Sequence, residues 1–233
     1  MSSEPVFALR DERVGRVTVQ VGFTDARFDV GDHAAPAVRA SGIRALAEAT
    51  GARPRLMHQV HGAAVVVVTA VPPVSLPQAD GLVTDLPEEA LVTRAADCVP
   101  VLLADPDAGV VGAAHAGRPG VAAGVVPATV AAMRELGAGR VVAWVGPHVC
   151  GACYEVPEAL RAQVAAVVPE TWATTSWGTP ALDLGAGVLA QLRETDCEVV
   201  VVGGCSREDA RWHSYRRDGS AAGRMAGVVW MRP

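Results

Sequence analysis

Two short apolar runs separated by a turn signal constrain the fold of this chain more than any other feature. The runs are "VPVLLAD" (99–105) and "GVVGAAHA" (109–116), and "DPDAG" (105–109) joins them. Runs of this length are too short to span a membrane, and β-branched residues bounded by Pro, Asp and Gly favour strands. We therefore predict a buried β-hairpin over residues 99–116.

The remaining segments mix strands and helices. Strands are predicted for 14–23, 63–71, 82–85, 90–94, 140–146, 198–204 and 227–233, and helices for 35–51, 121–139 (entered or kinked at Pro127), 156–168 and 184–196. Hairpin neighbours alternate with helix-linked units, which predicts an α/β (α+β) fold with mixed β-sheets flanked by helices. No linker or internal repeat divides the chain, so residues 1–233 are predicted to form one domain.

Composition excludes several classes of protein. Half the residues are hydrophobic and 19% are charged, which excludes a disordered chain. The net charge is −5 without a Lys/Arg block, so no nucleic-acid partner is expected. The longest apolar run is broken by prolines, and the N-terminal stretch carries acids without a signal-type apolar core. We expect a cytoplasmic protein without a membrane partner, and its oligomeric state stays open.

The cysteines predict thiols rather than disulfides. Their number, five, is odd, and their spacing forms no disulfide framework. The single C-x-x-C, "CGAC" (150–153), lacks a second pair and a visible strand-to-helix turn, which disfavours both a zinc ribbon and a redox motif. Cys150, Cys153, Cys197 and Cys205 are therefore interpreted as structural, and His148 as an exposed polar loop residue.

Cys98 and His115 stand at the two ends of the predicted hairpin. A turn centred between Pro106 and Asp107 pairs residues whose numbers sum to 213, which places Cys98 opposite His115 with Cβ atoms about 5 Å apart. A four-residue loop over 106–109 shifts the sum to 215 and leaves the two side chains diagonal on one face. Either register allows a packed pair, a nucleophile with its base, or two ligands of one metal ion.

A third candidate ligand comes from "RLMHQVHG" (55–62), which contains His58 and His61. In an extended segment these two side chains point to opposite faces, so at most one of them joins a given site. One His with Cys98 and His115 makes a His₂Cys set. Three protein ligands with an open fourth position are typical of catalytic zinc.

Six stretches occur together and in order: "QVHG" (59–62), "ADGLVTD" (79–85), "ADCVPVLLAD" (96–105), "AHAG" (114–117), "GPHVCGACYEVP" (146–157) and "HSYRRDGSAAGR" (213–224). In these motifs the chain resembles the laccase-domain family, also called YfiH-like or peptidoglycan-editing-factor-like, whose members are usually described as purine nucleoside phosphorylases. One departure is "HAGRPG" (115–120), where the family commonly has "HAGWRG".

The resemblance implies a function and a ligand set. It implies phosphorolysis of adenosine, inosine and guanosine, hydrolytic deamination of adenosine, and purine nucleoside and phosphate as partners. It also implies that His61, Cys98 and His115 are the metal ligands and the catalytic residues. Zinc suits such a set in a non-redox role, with copper as the alternative, and the histidines are too few for a multicopper cluster.

Phosphate binding needs cationic side chains, for which arginine is well suited. The candidates are Arg118, Arg216 and Arg217, with Arg224 as a fourth, and we expect at most two of the four in the site.

Three further interpretations concern neighbouring motif residues. We predict that Asp97 fixes its loop or orients a ligand, that Asp80 is a turn residue, and that Tyr154 with Glu155 caps the helix starting near Pro157.

Two other functions compete with the phosphorylase. One is a zinc or cysteine hydrolase that edits peptidoglycan precursors, which the family's editing-factor name suggests. The other is a metal-bound interaction protein without catalytic activity. Phosphate dependence separates the first two, because only phosphorolysis consumes phosphate and yields ribose 1-phosphate.

Overall fold

Two sheets lie face to face between helices in the computed structural model, which describes residues 5–71 and 73–232. The strands are β1 (Leu9–Val14), β2 (Thr18–Phe23), β3 (Arg53–Arg55), β4 (Val65–Val67), β5 (Gly81–Thr84), β6 (Glu89–Ala95), β7 (Val99–Asp105), β8 (Val110–Ala116), β9 (Val142–Val145), β10 (Trp172–Thr174), β11 (Pro180–Leu182), β12 (Glu198–Val201) and β13 (Met225–Arg232). The helices are α1 (Pro36–Thr50), α2 (Arg118–Ala123), α3 (Val125–Glu135), α4 (Glu158–Ala165), α5 (Leu184–Glu194) and α6 (Tyr215–Asp218), with 3₁₀ turns at Pro169–Thr171 and Gly219–Ala221.

Both large sheets are mixed. One has the strand order β1-β2-β13-β6-β3 and the other β12-β9-β7-β8-β5-β4, while β10 and β11 form a separate pair. The pairs β3 with β6, β4 with β5, and β9 with β12 are parallel, and the other pairs are antiparallel. The predicted α+β class with mixed sheets is confirmed. The single domain over residues 1–233 stays a prediction.

Side chains that alternate between the two faces of each strand form separate apolar layers on either side of the sheets. In β7, Leu102 and Ala104 pack between the two sheets, together with Phe23 of β2. Val101 and Leu103 point to the opposite face, where they belong to the same apolar cluster as α3 and α5. The outer face of the five-stranded sheet is covered by α1, whose Leu46 is fully buried. Both faces of each large sheet are therefore covered, which explains why β6, β7 and β8 are apolar along most of their length.

The hairpin of β7 and β8 is confirmed, with the longer of the two loops. Pro100 pairs with His115 and Asp105 with Val110, so the paired numbers sum to 215 and the 213 register is wrong. Asp105 explains the loop length, because its Oδ1 accepts the N–H groups of Asp107 and Ala108, and its backbone carbonyl accepts that of Gly109. Cys98 consequently precedes the strand instead of lying in it.

Several predicted elements have different bounds. The strand predicted for 14–23 shortens to β2, because the chain turns back at Gly15, whose N–H bonds to the carbonyl of Val17, and β1 before this turn was not predicted. The helix predicted for 121–139 is broken at Gly124 (φ 79°) and not at Pro127, which lies in the first turn of α3, where its missing N–H costs nothing. The strand predicted for 63–71 shortens to β4, and β3, β10, β11 and α6 were not predicted.

Within residues 5–71 and 73–232, no helix has both the length and the apolar character needed to cross a bilayer.

The Asp105 carboxylate provides a test of this hairpin. It is buried, and its Oδ2 accepts the N–H groups of Gly139 and Arg140 in addition to the two bonds of the turn. Burial alone would raise the pKa of Asp105, but these hydrogen bonds outweigh it and hold the pKa below the ordinary 3.8. We expect Asp105→Asn to lower the free energy of unfolding by about 1–3 kcal/mol at pH 7, because the amide nitrogen faces N–H donors.

The same change alters the pH dependence. A carboxyl whose pKa is lower in the folded state stabilises the fold fully above its unfolded-state pKa of about 4 and loses this effect as the pH falls further. The difference in the free energy of unfolding between wild type and Asp105→Asn should therefore become smaller as the pH falls below about 4. Urea unfolding at a series of pH values measures this difference. Asp107→Asn on the exposed side of the same turn is the control. Equal stability of all three proteins at pH 7 would contradict this account.

Candidate functional site

The buried carboxylate of Asp80 organises the candidate site. Asp80 is fully buried directly before β5, and its side chain accepts N–H groups from Val60 (3.2 Å), His61 (3.1 Å) and Gly62 (2.6 Å). Its Oδ1 lies 2.8 Å from Nδ1 of His115. The predicted role as a turn residue therefore misses its main contacts, which join the loop at 60–62 to β8.

Three candidate ligands converge beside this carboxylate. His61 comes from the loop before β4 and has φ 60°, Cys98 precedes β7, and His115 lies near the end of β8. The Sγ of Cys98 is 3.9 Å from Nε2 of His61, and the two imidazole rings meet edge to face with centroids 4.8 Å apart. One ligand atom from each residue lies within 4.8 Å of the others. The geometry brings together the three residues that the sequence singled out.

Gly117 leaves room for this cluster. A Cβ atom at this position would lie 2.6 Å from Cδ2 of His61 and 3.2 Å from Sγ of Cys98. Any larger residue would therefore displace His61. His58, the other candidate in the segment, is half exposed and points instead to Asp32, with 3.9 Å between Nδ1 and Oδ2.

The protonation states favour ligands over a nucleophile. Burial lowers the pKa of His115, and the Asp80 carboxylate offsets this only in part, so the ring is neutral near pH 7. With Nδ1–H donating to Asp80, Nε2 is left with a free lone pair. Burial, with the negative charge of Asp97, raises the pKa of Cys98 to about 12. A nearby cation is needed to make this thiol a thiolate.

The cluster opens into a cavity of about 610 Å³. This volume is in the range typical of small-molecule sites. The wall combines charged and aromatic side chains with the three candidate ligands; it is formed by Asp32, His33, Gln59, His61, Arg94, Ala95, Ala96, Asp97, Cys98, His115, Tyr154, Tyr215, Arg216 and Arg224.

The arginines divide into two groups. Arg216 and Arg224 line the cavity, whereas Arg118 and Arg217 do not. Arg217 donates to the carbonyls of Ser206 and Trp212 (2.8 Å each) and pairs with Asp218, which gives it a structural role in holding α6. Arg118 is the first residue of α2, and its charge is near enough to Cys98 to act on the pKa of that thiol.

Sequence reasoning missed Arg94 and its partners. Arg94 is buried on β6, where it pairs with Asp32 (2.5 Å) and donates to the carbonyl of Met57 (2.8 Å). Gln59 bonds through its amide to both the N–H and the carbonyl of Arg94. The only signal in the sequence was a charged residue inside an apolar strand, which is rare unless the charge is paired.

Asp97 anchors the segment before Cys98, as predicted. Its backbone has φ 81°, and its carboxylate accepts the hydroxyl of Ser206 (2.7 Å) and the N–H of Arg216 (2.6 Å). These bonds fix the loop that carries Cys98 against Ser206 and against the first turn of α6, which carries Arg216.

Two other interpretations change. Tyr154 lines the cavity beneath the guanidinium of Arg216, 4.5 Å from ring centroid to Cζ, while Glu155 accepts from the indole of Trp177. Neither side chain caps α4. His148 is half-buried and bonds through Nδ1 to the carbonyl of Gly146 (2.8 Å), so it is not an exposed loop residue.

Comparisons with known proteins agree on the fold and the family. A purine nucleoside phosphorylase of Streptomyces coelicolor is 57% identical over 181 residues, which cover 75% of this chain and 74% of that protein. The crystal structure of a Neisseria meningitidis protein matches with a TM-score of 0.83 and 26% identity, covering 98% of this chain and all of that one. The Bacillus licheniformis protein YfiH has the same fold, with a TM-score of 0.83, 24% identity and coverage of 92% and 93%.

A family model provides the assignment, and it spans nearly all of the chain that the structure describes. The model is described as multi-copper polyphenol oxidoreductase laccase and matches residues 8–232. This match confirms the resemblance drawn from the six motifs. The chain belongs to the laccase-domain family.

Proposed function

We propose that this protein is a zinc-dependent purine nucleoside phosphorylase that also deaminates adenosine. One observation carries the proposal: the three candidate ligands and three arginines, Arg94, Arg216 and Arg224, line a single cavity of nucleoside size. The Streptomyces coelicolor relative, named a purine nucleoside phosphorylase, supports the same reading. The proposed substrates are adenosine, inosine and guanosine, together with phosphate.

The residues present fit a zinc ion. Two imidazole nitrogens and one thiol sulfur lie close enough to share an ion and leave its fourth position open, which is typical of catalytic zinc. Of the six histidines in the chain, two belong to this group, which is fewer than a multicopper cluster requires. Zinc bound by His61, Cys98 and His115 would supply a Lewis acid at the floor of the cavity.

The cavity arginines fit the phosphate. No carboxylate pairs with the guanidinium of Arg216 in residues 5–71 and 73–232, whereas Arg94 is neutralised by Asp32. Arg224 donates to the carbonyls of Ala222 and Gly223, which hold its side chain at the cavity wall. Arginine binds phosphate oxygens through two parallel N–H groups, so Arg216 is the stronger candidate to hold the attacking anion.

The aromatic side chains fit the nucleoside. Tyr154 and Tyr215 line the same cavity and offer ring faces to a purine. In phosphorolysis a phosphate oxygen bonds to C1′ of the ribose as the glycosidic C–N bond breaks. The purine leaves with the bonding electrons and takes up a proton. The role of Arg216 and Tyr154 is to align phosphate and base for this exchange.

Deamination of adenosine can use the same cavity. A water oxygen adds to C6 of the purine and ammonia leaves, which gives inosine. Both reactions then share one set of binding residues and differ in the nucleophile. Conversion of adenosine to inosine without phosphate is the assay for this second activity.

The competing functions make different demands on Cys98. A cysteine hydrolase acting on peptidoglycan precursors needs a reactive thiolate, but burial raises the pKa of Cys98 to about 12. A zinc hydrolase would cleave an amide bond with water, and its rate would not depend on phosphate. A metal-bound interaction protein would turn over neither substrate.

The ligand assignment predicts the effect of Cys98→Ala. We expect this variant to lose the pocket zinc and its rate of inosine phosphorolysis to fall by more than about 100-fold. Mutating residues that only orient metal ligands already lowers activity by up to about 100-fold, so the loss of a ligand itself should have a larger effect. Elemental analysis and the formation of ribose 1-phosphate are the measurements. Cys197→Ala, which changes a half-buried free cysteine that does not line the cavity, is the matched control. A zinc content in Cys98→Ala equal to that of the wild-type protein would contradict the assignment of Cys98 as a ligand.

The positioning role of Asp80 predicts a separate result. Asp80→Asn keeps the shape of the side chain but removes the charge that orients His115, so we expect zinc affinity to fall about 10–100-fold. Competition with a chelator measures this affinity, and Asp85→Asn, an exposed residue after β5, is the control. Equal zinc affinity in the two variants would show that Asp80 does not position the ligands.

The phosphate assignment predicts a selective change in KM. Arg216→Gln removes a charge-assisted hydrogen bond worth roughly 1.5–3 kcal/mol, so the KM for phosphate should rise by about 10–100-fold. The KM for inosine should change much less. Arg211→Gln, at an exposed position paired with Asp209, is the control. An equal rise in both KM values would argue for general damage to the cavity.

A further inference from the structure

A second group of metal-binding side chains lies beside the cavity and is not used by the proposed reaction. This group, the cysteine cluster, consists of Cys150, Cys153, Cys205 and Glu208, and one ligand atom from each lies within 4.8 Å of the others. The Sγ of Cys153 is 3.2 Å from Oε1 of Glu208. The N–H of Cys150 donates to Sγ of Cys205 at 3.4 Å. Sequence analysis interpreted these cysteines as structural and disfavoured a zinc site, because "CGAC" has no second C-x-x-C.

Two tight turns present these four side chains to one another. The N–H groups of Cys153 and Tyr154 both bond to the carbonyl of Cys150 at 3.0 Å, which brings the two thiols of the first turn together. In the second turn the N–H of Asp209 bonds to the carbonyl of Cys205 at 3.0 Å. Each turn thus contributes two ligands with two residues between them, Cys-x₂-Cys and Cys-x₂-Glu, a spacing that suits zinc.

The backbone holds the two turns side by side. His148 and Cys205 form a parallel bridge, in which the N–H of Ser206 bonds to the carbonyl of His148 at 2.9 Å. Cys153 is buried, Cys150 and Cys205 are half-buried, and Glu208 is exposed. The cluster is therefore preformed by main-chain contacts and stays open to solvent on the Glu208 side.

The chemistry of the cluster favours a metal ion over a redox pair. A redox pair uses two thiols, yet three thiols and a carboxylate lie together here, with Sγ of Cys153 3.2 Å from Oε1 of Glu208. A single disulfide would also leave one of the three thiols unpaired. A divalent cation, in contrast, uses all three sulfurs and the carboxylate, and thiolate ligands select a zinc-like ion over magnesium or calcium.

We propose that the cysteine cluster is a second, structural metal site that binds one zinc-class divalent ion through Cys150, Cys153, Cys205 and Glu208. Four protein ligands close the coordination sphere, which is typical of structural zinc. Binding releases the thiol protons to solvent. The ion ties the loop at 150–154, which carries Tyr154, to the loop at 205–208, whose Ser206 bonds to Asp97. It therefore braces one wall of the cavity without touching substrate.

Metal content of the purified full-length protein tests the proposal independently of the proposed function. An ion that is retained in Cys98→Ala but lost in Cys150→Ser and in Cys205→Ser supports the second site, whether or not the pocket also binds zinc. Cys197→Ser is the control, since this thiol lies outside the cluster. Full metal content in both cluster variants, or a disulfide between cluster cysteines in the wild-type protein, would overturn the proposal.

Two further measurements cover the case in which a serine variant does not fold. Glu208→Gln changes an exposed side chain and keeps all three thiols, so it should fold and bind zinc about tenfold more weakly or worse. In the cobalt-substituted wild-type protein, three of four thiolate ligands belong to the cluster. Cys98→Ala should therefore retain at least about three quarters of the sulfur-to-cobalt charge-transfer absorption, whether or not the pocket also binds cobalt. Unchanged zinc affinity in Glu208→Gln, or loss of the whole band in Cys98→Ala, would contradict the second site.

Discussion

The geometry of the cavity floor depends on one buried carboxylate, that of Asp80. It gathers three consecutive N–H groups from the loop at 60–62 and fixes the ring of His115. The N–H of His115 in turn bonds to the backbone carbonyl of Asp80 at 2.8 Å. Burial alone would raise the pKa of Asp80, but the bonds from His115 and from the N–H groups of Gly62 and Val60 lower it. The carboxylate therefore stays charged and anchors two candidate ligands from distant parts of the chain.

The sequence predicted those features that depend on local pattern. The apolar runs over 99–116 predicted the hairpin, and the positions of Cys98 and His115 at its two ends predicted that these residues lie close together. The exact pairing required more, because the length of the turn is decided by hydrogen bonds to the Asp105 side chain, which composition does not encode. The pattern of "RLMHQVHG" left His58 and His61 as alternatives for the third ligand, and only the resemblance to the laccase-domain family implied His61.

The features that were missed depend on contacts between distant segments. In "ADG" the carboxylate of Asp80 has the pattern of an ordinary turn residue, and only folding brings residues 60–62 to it. The same holds for Arg94 with Asp32, and for Cys205, which reaches the "CGAC" segment across more than fifty residues. Side chains whose partners are this remote leave no periodic signal, so neither the pair nor the cysteine cluster could be inferred from spacing.

The central claim is that His61, Cys98 and His115 hold one metal ion at the floor of the cavity. X-ray absorption at the zinc edge of the Cys150→Ser variant tests it most directly, because removing the cysteine cluster leaves only the pocket ion. The account predicts one sulfur at about 2.3 Å and two imidazole nitrogens at about 2.0 Å. A shell of several sulfurs, or a spectrum without imidazole scattering, would contradict it.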